Sequence, residues 1–305
     1  MAIEVDHLIK HYDTIKAVDD ISFQVTEAEI FGMLGPNGAG KTTTVEIIEG
    51  LRPADSGRVS VMGLDVSKAA QRIKQRIGIQ LQAPSLLPLL RVEEMLDTFA
   101  SFYHHHLPVN DILELLTLQE SRKVLVKNLS GGQQQRLSVA MSLINDPEIA
   151  FLDEPTTGLD PQARRGLWSV IQDMQGRGKT VFLTTHYMEE AERLCDRVAI
   201  IDHGKIIALD TPDELIKSHF HEKAIHFKME SPPPEVVLRD FPGSTQVTID
   251  GGEVIIYSTN IPATMSALLQ FAESGDLMAH LEGLHVREAT LEDVFLKLTG
   301  RRIRE

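Results

Sequence analysis

Eight consecutive residues have the types and the spacing needed to bind a phosphate group. They fit the pattern G-x-x-x-x-G-K-[ST] and are Gly35, Pro36, Asn37, Gly38, Ala39, Gly40, Lys41 and Thr42. Glycines let the backbone curl so that successive N–H groups point at phosphate oxygens. The ammonium group of Lys41 could reach β- and γ-phosphates, and the hydroxyl group of Thr42 could bind Mg²⁺. A chance glycine-rich turn is the alternative interpretation.

The flanking residues have the patterns of the elements that must position such a loop. The apolar run at 30–34 predicts a short buried strand, and residues 43–49 predict a helix. The N-terminal end of a helix carries a partial positive charge, so this end, including Thr43, would face the same anion. The order of strand, loop and helix therefore favours phosphate binding over a chance turn.

Two adjacent carboxylates follow a second apolar run. Residues 149–152 predict a strand that is buried on both faces, as in a parallel sheet, and Asp153 and Glu154 come at its end. Strands of this kind present ligand-binding groups at their C-terminal ends. Asp153 could hold Mg²⁺ directly or through water, and Glu154 could orient or deprotonate a water molecule. An ordinary acidic turn would contain the same two residues.

Three further side chains are candidates for contacts with a nucleotide. Gln82 follows a predicted strand at 77–81, where it could reach Mg²⁺ or an attacking water molecule. His186 follows a predicted strand at 180–184, where it could donate a hydrogen bond to a γ-phosphate. Tyr12 could stack on an adenine ring, which would contribute about 0.5–1.5 kcal/mol beyond burial. For the histidine and the tyrosine, packing within the fold is an equally good explanation.

A second helix that could bind an anion begins at Ser130. Residues 129–136 have the sequence Leu-Ser-Gly-Gly-Gln-Gln-Gln-Arg. Ser130 is a favourable N-cap, and Gly131 and Gly132 allow another group to approach the backbone closely. Because one nucleotide already has a phosphate-binding loop, a second anion-binding helix end, which includes Gln133, needs a separate explanation. An ordinary capped helix is the alternative.

Composition and charge limit the classes of function. The chain has 305 residues, of which 42% are apolar, so it is globular and long enough for one large domain and a small one. The net charge of −14 argues against nonspecific binding to nucleic acid or to an anionic membrane surface. The single cysteine, Cys195, excludes an internal disulfide and favours a reducing, cytosolic compartment. Residues 1–6 lack the pattern of a signal peptide, and no apolar run approaches the ~18 residues of a membrane span.

The apolar patterns also predict two domains. Residues 92–144 have helical periodicity. A helix at 211–219 is predicted to close a first domain at 1–220, and residues 221–235, with three consecutive prolines, are predicted to be a linker. The remainder, 224–305, predicts a small α+β domain without a catalytic pattern.

Taken together, the candidate residues resemble a known family. Over residues 3–220 the sequence resembles ATP-binding cassette proteins in the order and approximate spacing of the loop 35–42, Gln82, the run 129–133, Asp153, Glu154, Asp160 and His186. The resemblance implies an α/β fold: a P-loop NTPase core with an antiparallel β-subdomain and a helical subdomain at about 85–145. A small C-terminal α+β domain would follow.

The resemblance also implies ATP and Mg²⁺ as ligands and a role for each candidate residue. In one chain it assigns adenine stacking to Tyr12, phosphate binding to residues 35–43, metal binding to Thr42, Gln82 and Asp153, and catalysis to Glu154, His186 and Gln82. A second copy would complete each site. Ser130, Gly131, Gly132 and Gln133 would bind the γ-phosphate that the other copy holds, and Asp160 would link the two active sites.

The end of the chain resembles a segment found in a narrower group within this family. Residues 289–300 are similar to the short C-terminal extension of ATPase subunits of exporters for drugs, lipids or polysaccharides. The implied function is that of an ATP-hydrolysing subunit that forms a homodimer on ATP binding and drives a separate membrane-spanning permease. Such a subunit would be cytoplasmic and peripheral on the inner face of the cell membrane, with no nucleic-acid partner. The permease would select the substrate.

Two other function classes also use phosphate-binding loops. A soluble cassette protein that acts on ribosomes or DNA usually has two cassettes in one chain or a long coiled coil between motifs, and this sequence has neither. Its acidic balance also argues against that class. A P-loop kinase or GTPase would need an acceptor site or an Asn-Lys-x-Asp guanine motif. The motif is absent from the sequence, and the Ser-Gly-Gly-Gln run would have no role in either enzyme.

Overall fold

The computed structural model describes residues 1–81, 86–220, 223–274 and 281–300. Within these ranges the chain forms two compact units, of which the first is Met1–Pro212 and the second begins at Asp213. None of the helices in the described ranges has both the length and the apolar character needed to cross a membrane.

The first unit contains two sheets. Its strands are β1 (Ile3–Tyr12), β2 (Ile15–Val25), β3 (Ile30–Leu34), β4 (Ser56–Val61), β5 (Leu64–Asp65), β6 (Ile77–Gln80), β7 (Ile149–Asp153), β8 (Thr180–Thr185), β9 (Arg197–Asp202) and β10 (Lys205–Asp210). The larger sheet has the order β10-β9-β3-β8-β7-β6, with β10 antiparallel to β9 and parallel pairing elsewhere. The smaller sheet, β2-β1-β4-β5, is antiparallel. These sheets confirm the predicted α/β class and its antiparallel subdomain.

The parallel sheet is buried because its central strands are largely apolar. Every residue of β3, β7 and β8 is buried. Phe182 lies between Phe31 and Phe151 on the neighbouring strands, with ring centroids 5.4 and 5.7 Å away. The same hydrophobic core includes Val5 and Leu8 of the antiparallel sheet. The two sheets therefore share a core, which holds the segment after β3 in place relative to both.

Helices connect the strands of the first unit. They are α1 (Lys41–Ile48), α2 (Val66–Lys74), α3 (Val92–Ala100), α4 (Val109–Leu115), α5 (Gly131–Leu143), α6 (Pro161–Gly176) and α7 (Met188–Leu194). The helices α3, α4 and α5 lie within the range predicted for a helical subdomain, and α6 and α7 are crossovers between parallel strands. Cys195, directly after α7, is buried, and its Sγ would lie only 2.6 Å from a Cβ atom on Gly32.

The second unit is built on a four-stranded antiparallel sheet. Its strands are β11 (Lys223–Lys228), β12 (Ser244–Asp250), β13 (Glu253–Ser258) and β14 (Glu282–Glu288), in the order β12-β13-β11-β14. Its helices are α8 (Pro212–His219), α9 (Glu235–Arg239), α10 (Ile261–Ser274) and α11 (Leu291–Thr299). The unit has the α+β character expected from the sequence.

The boundary between the units lies earlier than the sequence indicates. The sequence places α8 in the first domain, but its last residue, His219, and the following Phe220 make contacts in the second unit. Phe220 stacks on Tyr257 of β13 with ring centroids 5.0 Å apart, and Lys297 of α11 donates to the carbonyl oxygen of His219 at 2.5 Å. β11 also occupies part of the expected linker at 221–235, and it pairs with both β13 and β14.

One buried carboxylate fixes α11 to this sheet. Asp293 accepts hydrogen bonds from the hydroxyl of Tyr257 at 2.7 Å and from the guanidinium of Arg287 at 2.8 Å. It also accepts from the backbone N–H and the hydroxyl of Thr290, at 2.8 and 3.0 Å. These bonds join α11 to β13 and β14, so the segment 289–300 contains a structural anchor.

Candidate functional site

The phosphate-binding loop connects β3 to α1 at the C-terminal edge of the parallel sheet. Gly40 is the N-cap of α1 with a φ of 107°, and Gly38 has a φ of 80°. Both values lie in the left-handed region that glycine adopts readily. The side chain of Thr42 in the first turn of α1 is exposed. The loop thus has the backbone conformation and the helix end that the sequence predicts.

Close packing of the backbone accounts for two of the loop glycines. A Cβ atom on Gly35 would lie 2.4 Å from the carbonyl oxygen of Ile201 in β9. A Cβ atom on Gly40 would lie 2.2 Å from the carbonyl oxygen of Ala17 in β2. At Gly38, in contrast, no atom lies within 4 Å of an added Cβ. Glycine is therefore needed at two of these positions because neighbouring strands approach, as well as for curvature of the loop.

Lys41 lies under the loop. Its Nζ donates to the carbonyl oxygens of Gly35 at 2.7 Å and Pro36 at 3.3 Å. Burial lowers the pKa of Lys41, and the negative charges of Glu154 and Asp153 act in the opposite direction. The ammonium group is thus within electrostatic range of both carboxylates.

Asp153 ends β7 and is almost completely buried. The hydroxyl of Thr184, its partner in the register of β7 and β8, donates a short hydrogen bond to Asp153 Oδ1. Burial raises the pKa of Asp153, whereas the Thr184 hydroxyl and the charge of Lys41 lower it. The strand pairing therefore holds this carboxyl group in a defined orientation.

Glu154 follows with a left-handed backbone, at a φ of 50°. Its N–H donates to the carbonyl oxygen of Thr184 at 3.1 Å, which fixes the turn. Its Oε2 lies 3.1 Å from Nδ1 of His186 and accepts a hydrogen bond from Thr157 at 3.4 Å. The hydrogen bond from His186 is the largest cause of the lowered pKa of Glu154, and burial opposes it. Glu154 is therefore ionised at neutral pH.

These four side chains form one cluster, which we call the carboxylate cluster: Lys41, Asp153, Glu154 and His186. An ionised carboxylate can orient or deprotonate a water molecule. Loop N–H groups and an ammonium group can stabilise charge on phosphate oxygens. Transfer of a phosphoryl group to water needs this combination of positioning and charge.

Comparisons with known proteins agree with this geometry. The ABC transporter family model matches residues 18–157. The Nod factor export ATP-binding protein I of Ralstonia nicotianae is 39% identical over 99% of this chain and 95% of its own length. The protein of the same name from Burkholderia pseudomallei is 41% identical over 98% and 97%. The chain belongs to the ABC transporter ATP-binding proteins.

Solved ABC structures share the fold of the first unit. An ATP-binding subunit of an ABC transporter has a TM-score of 0.66 and 26% identity, covering 72% of this chain and 93% of that chain. A bacterial ABC transporter cassette in dimeric form has a TM-score of 0.64 and 25% identity, over 68% and 98%. The same cassette was also solved after hydrolysis with ADP and Pi, at 25% identity. The ABC family and this fold establish the chain as an ATPase.

In this ABC ATPase the second predicted anion site is a well-formed helix start. The Oγ of Ser130 accepts the N–H of Gln133 at 3.3 Å, and Oε1 of Gln133 accepts the N–H of Ser130 at 2.9 Å. Ser130 and Gly131 are exposed. Within the described ranges, no hydrogen bond or ion pair joins residues 130–133 to the loop 35–43.

Asp160 and Tyr12 lie outside the carboxylate cluster. Asp160 is the N-cap of α6, and the N–H groups of Ala163 and Gln162 lower the pKa of its carboxyl group. Tyr12 ends β1 with an exposed ring, and the guanidinium carbon of Arg52 lies 5.4 Å from the ring centroid. Their roles toward nucleotide remain predictions.

One predicted residue falls outside the described ranges, and sequence reasoning missed two others. Gln82 lies outside the described residues. Gln80 is buried and donates to the carbonyl oxygen of Asp153 at 3.2 Å. Thr184 bonds to the same residue through its side chain. Both are polar residues near the ends of apolar strands that flank β7. A polar residue at the end of an apolar strand is visible in the sequence and could have identified both as candidates.

Proposed function

We propose that this ABC ATPase works as a pair of identical cassettes and drives export through a separate membrane-spanning permease. The observation that carries the proposal is the exposed helix end at Ser130 and Gly131, which no hydrogen bond or ion pair among the described residues joins to the loop 35–43. In a head-to-tail pair, this end of each chain would face the γ-phosphate held by the other. The dimeric form of the bacterial cassette with the same fold supports this pairing.

Each nucleotide would contact both chains. One chain would supply Tyr12 for the adenine ring, residues 35–43 for the phosphates and Glu154 for the attacking water. The other chain would supply residues 130–133, and Asp160 would link the two sites. Since the pKa of Glu154 is lowered, its carboxylate is ready to accept a hydrogen bond from water.

The oxygen donors of the site suit Mg²⁺. They are the exposed hydroxyl of Thr42 and the carboxylate of Asp153, and we add the amide oxygen of Gln82 on the resemblance. The hydroxyl of Thr184 would orient the Asp153 carboxylate. When bound, Mg²⁺ would neutralise charge that develops on the phosphates.

His186 would connect the γ-phosphate to Glu154. A carboxylate only accepts hydrogen bonds, so Nδ1 of His186 carries the proton shared with Glu154. Nε2 is then the nitrogen that can face the γ-phosphate.

Export and location rest on the relatives. Proteins named for Nod factor export match this chain over nearly its whole length. We propose that the chain lies in the cytoplasm, peripheral on the inner face of the cell membrane, and binds no nucleic acid. Affinity purification from detergent-solubilised membranes should recover a multi-span protein with it. Recovery of none would contradict the permease partner.

The substitution Glu154→Gln tests the pair. It removes the group that activates water and leaves the phosphate contacts, so ATP should still bind. Turnover should fall by about 100-fold or more, and the chain should accumulate as a dimer with Mg²⁺ and ATP. Phosphate release measures turnover, and light scattering measures the mass. Unchanged turnover would remove Glu154 from its proposed role.

A companion substitution, Ser130→Arg, tests the contact between chains. Arginine would block the exposed helix end, so hydrolysis and dimer formation should be lost while the monomer binds ATP as before. Ser130→Thr keeps a hydroxyl N-cap and serves as the control. If the Ser130→Arg monomer no longer binds ATP, the assignment of this end to the partner's nucleotide is wrong.

A further inference from the structure

The turn between β9 and β10 contacts two other parts of the first unit. Gly204 in this turn donates its N–H to the carbonyl oxygen of Ala39, in the phosphate-binding loop, at 2.9 Å. Its carbonyl oxygen accepts the N–H of Asp19, in β2, at 2.9 Å. The backbone of one residue is therefore bonded both to the loop and to a strand of the antiparallel sheet.

A side chain cannot be added to Gly204 without moving its neighbours. Its φ is 76°, and a Cβ atom would lie 2.9 Å from the carbonyl oxygen of Lys16 and 3.0 Å from that of Ala17. These are backbone atoms, which cannot rotate away as the end of a side chain can. The carbonyl of Ala17 is also the group that excludes a side chain at Gly40. The turn, β2 and the loop thus meet backbone to backbone.

The strand β2 offers this contact because its pairing with β1 is irregular there. The register shifts between the pairs that contain Val18 and Ile21, and the N–H of Asp19 bonds to Gly204 instead. Lys205 of β10 adds an ion pair, with its Nζ 3.3 Å from Asp19 Oδ2. A backbone hydrogen bond and an ion pair therefore both connect Asp19 of β2 to β10 and its turn.

We propose that Gly204 is a positioning residue for ATP: it sets the distance between the phosphate-binding loop and β2. Tyr12 pairs with Ile15 at the end of the hairpin that β2 forms with β1, so the turn also sets the loop's distance from Tyr12. One nucleotide must reach both places, and a misplacement of about 1 Å can cost roughly 100-fold in activity. The inference rests on the proposed roles of the loop and Tyr12.

The test compares two glycines that have the same backbone conformation. Gly178 has a φ of 80°, but no atom lies within 4 Å of an added Cβ there. Gly178→Ala therefore carries the left-handed strain without the collision, and Gly204→Ala carries both. Calorimetric titration of the full chain would measure the affinities for ATP and for inorganic tripolyphosphate, which lacks the base. Thermal unfolding would compare the stabilities of the two variants.

We expect Gly204→Ala to lower ATP affinity by about tenfold or more and to change tripolyphosphate affinity by less than about threefold. Gly178→Ala should leave both within about twofold of the parent chain. Equal ATP affinities of Gly204→Ala and Gly178→Ala would overturn the proposal. An equal loss of affinity for ATP and for tripolyphosphate in Gly204→Ala would also overturn it. Lys41→Ala tests the proposed function separately: if that variant binds ATP like the parent chain, the loop assignment itself fails.

A measurement on the unsubstituted chain covers the case in which Gly204→Ala does not fold. Hydrogen exchange with mass spectrometry would follow peptides that contain Asp19 and Gly204, with and without ATP. We expect ATP to slow exchange of both amides, because the nucleotide would hold the loop and β2 together. Lys41→Ala should abolish this protection. Exchange that ATP leaves unchanged at both amides would overturn the proposal.

Discussion

Asp153 and Glu154 are adjacent in the sequence, yet the pKa values of their carboxyl groups shift in opposite directions. Burial raises the pKa of Asp153, and the hydrogen bond from His186 lowers the pKa of Glu154. The left-handed backbone of Glu154 separates the environments of the two groups. Pairs of titratable groups separated in this way are typical of sites that divide tasks between them. This division is consistent with the proposed roles, in which Asp153 would hold a metal ion and Glu154 a water molecule.

Loss of the Thr184 hydroxyl should lower the proposed Mg²⁺ affinity more than it lowers the stability of the fold. Thr184→Val removes the donor to Asp153 and one of the two acceptors for the N–H of Glu154, and leaves the bond from that N–H to the carbonyl oxygen of Thr184 intact. We expect Mg²⁺ affinity to fall by about 10–100-fold, the usual effect of losing a group that orients a ligand. The Mg²⁺ dependence of ATP hydrolysis measures it. Thr184→Ser keeps the hydroxyl and is the control. An identical Mg²⁺ dependence for both variants would show that the hydroxyl does not orient Asp153.

At the scale of the element, α1 ends in a carboxyl group that is hidden from water. Glu49, the C-cap of α1, is buried, and its Oε2 has no hydrogen-bond partner among the residues that the structure describes. Burial, with the charges of Asp153 and Glu46, raises the pKa of Glu49 from 4.5 to about 8. The folded chain therefore keeps a proton there that the unfolded chain loses above its ordinary pKa.

This buried acid makes stability depend on pH. Its favourable contribution is fully present below pH 4.5 and is lost as pH rises to about 8. Glutamine cannot ionise. The free energy of unfolding of Glu49→Gln should therefore rise relative to that of the parent chain by about 1.4 kcal/mol for each pH unit in this window. Urea unfolding between pH 5 and pH 8, without nucleotide, measures the difference. A difference that stays constant with pH would show that Glu49 does not take up a proton on folding.

At the scale of the whole molecule, a substitution that destabilises one unit should leave the ligand binding of the other unchanged. Asp293→Ala removes the acceptor shared by Tyr257, Arg287 and Thr290, so buried donors lose their partner. We expect the free energy of unfolding of the second unit to fall by about 2–4 kcal/mol, which would lower its thermal unfolding midpoint by on the order of 10 °C. ATP affinity, a property of the first unit, should stay unchanged. Glu292→Ala, at an exposed neighbour in the same helical turn, is the control. Equal midpoints for these variants would contradict the role of Asp293 as an anchor.

The sequence predicted the first unit well because its signals are local. The loop 35–42, the apolar strands and the residues that end them are each defined within a few positions, and strand order then brings Lys41, Asp153, Glu154 and His186 together. The contacts that were missed are not local. Thr184 and Gln80 act through strand pairing, and the packing of Gly35 against Ile201 joins distant segments. The second unit begins at Asp213, before the expected boundary at 220, because the segment after α8 packs on β13 and α11, which are distant in the sequence.

The burial of Cys195 makes this chain convenient for spectroscopy. Burial raises the pKa of its thiol well above the usual range, and Gly32 packs against its sulfur. Maleimide dyes react with accessible thiolates, so they would leave this residue unmodified and label a cysteine introduced at the surface. The natural sequence can therefore serve as an unreactive background. A donor dye on one chain and an acceptor on another, at exposed positions outside the loop 35–43 and the run 129–133, would report by energy transfer in single molecules whether the proposed pair opens and closes.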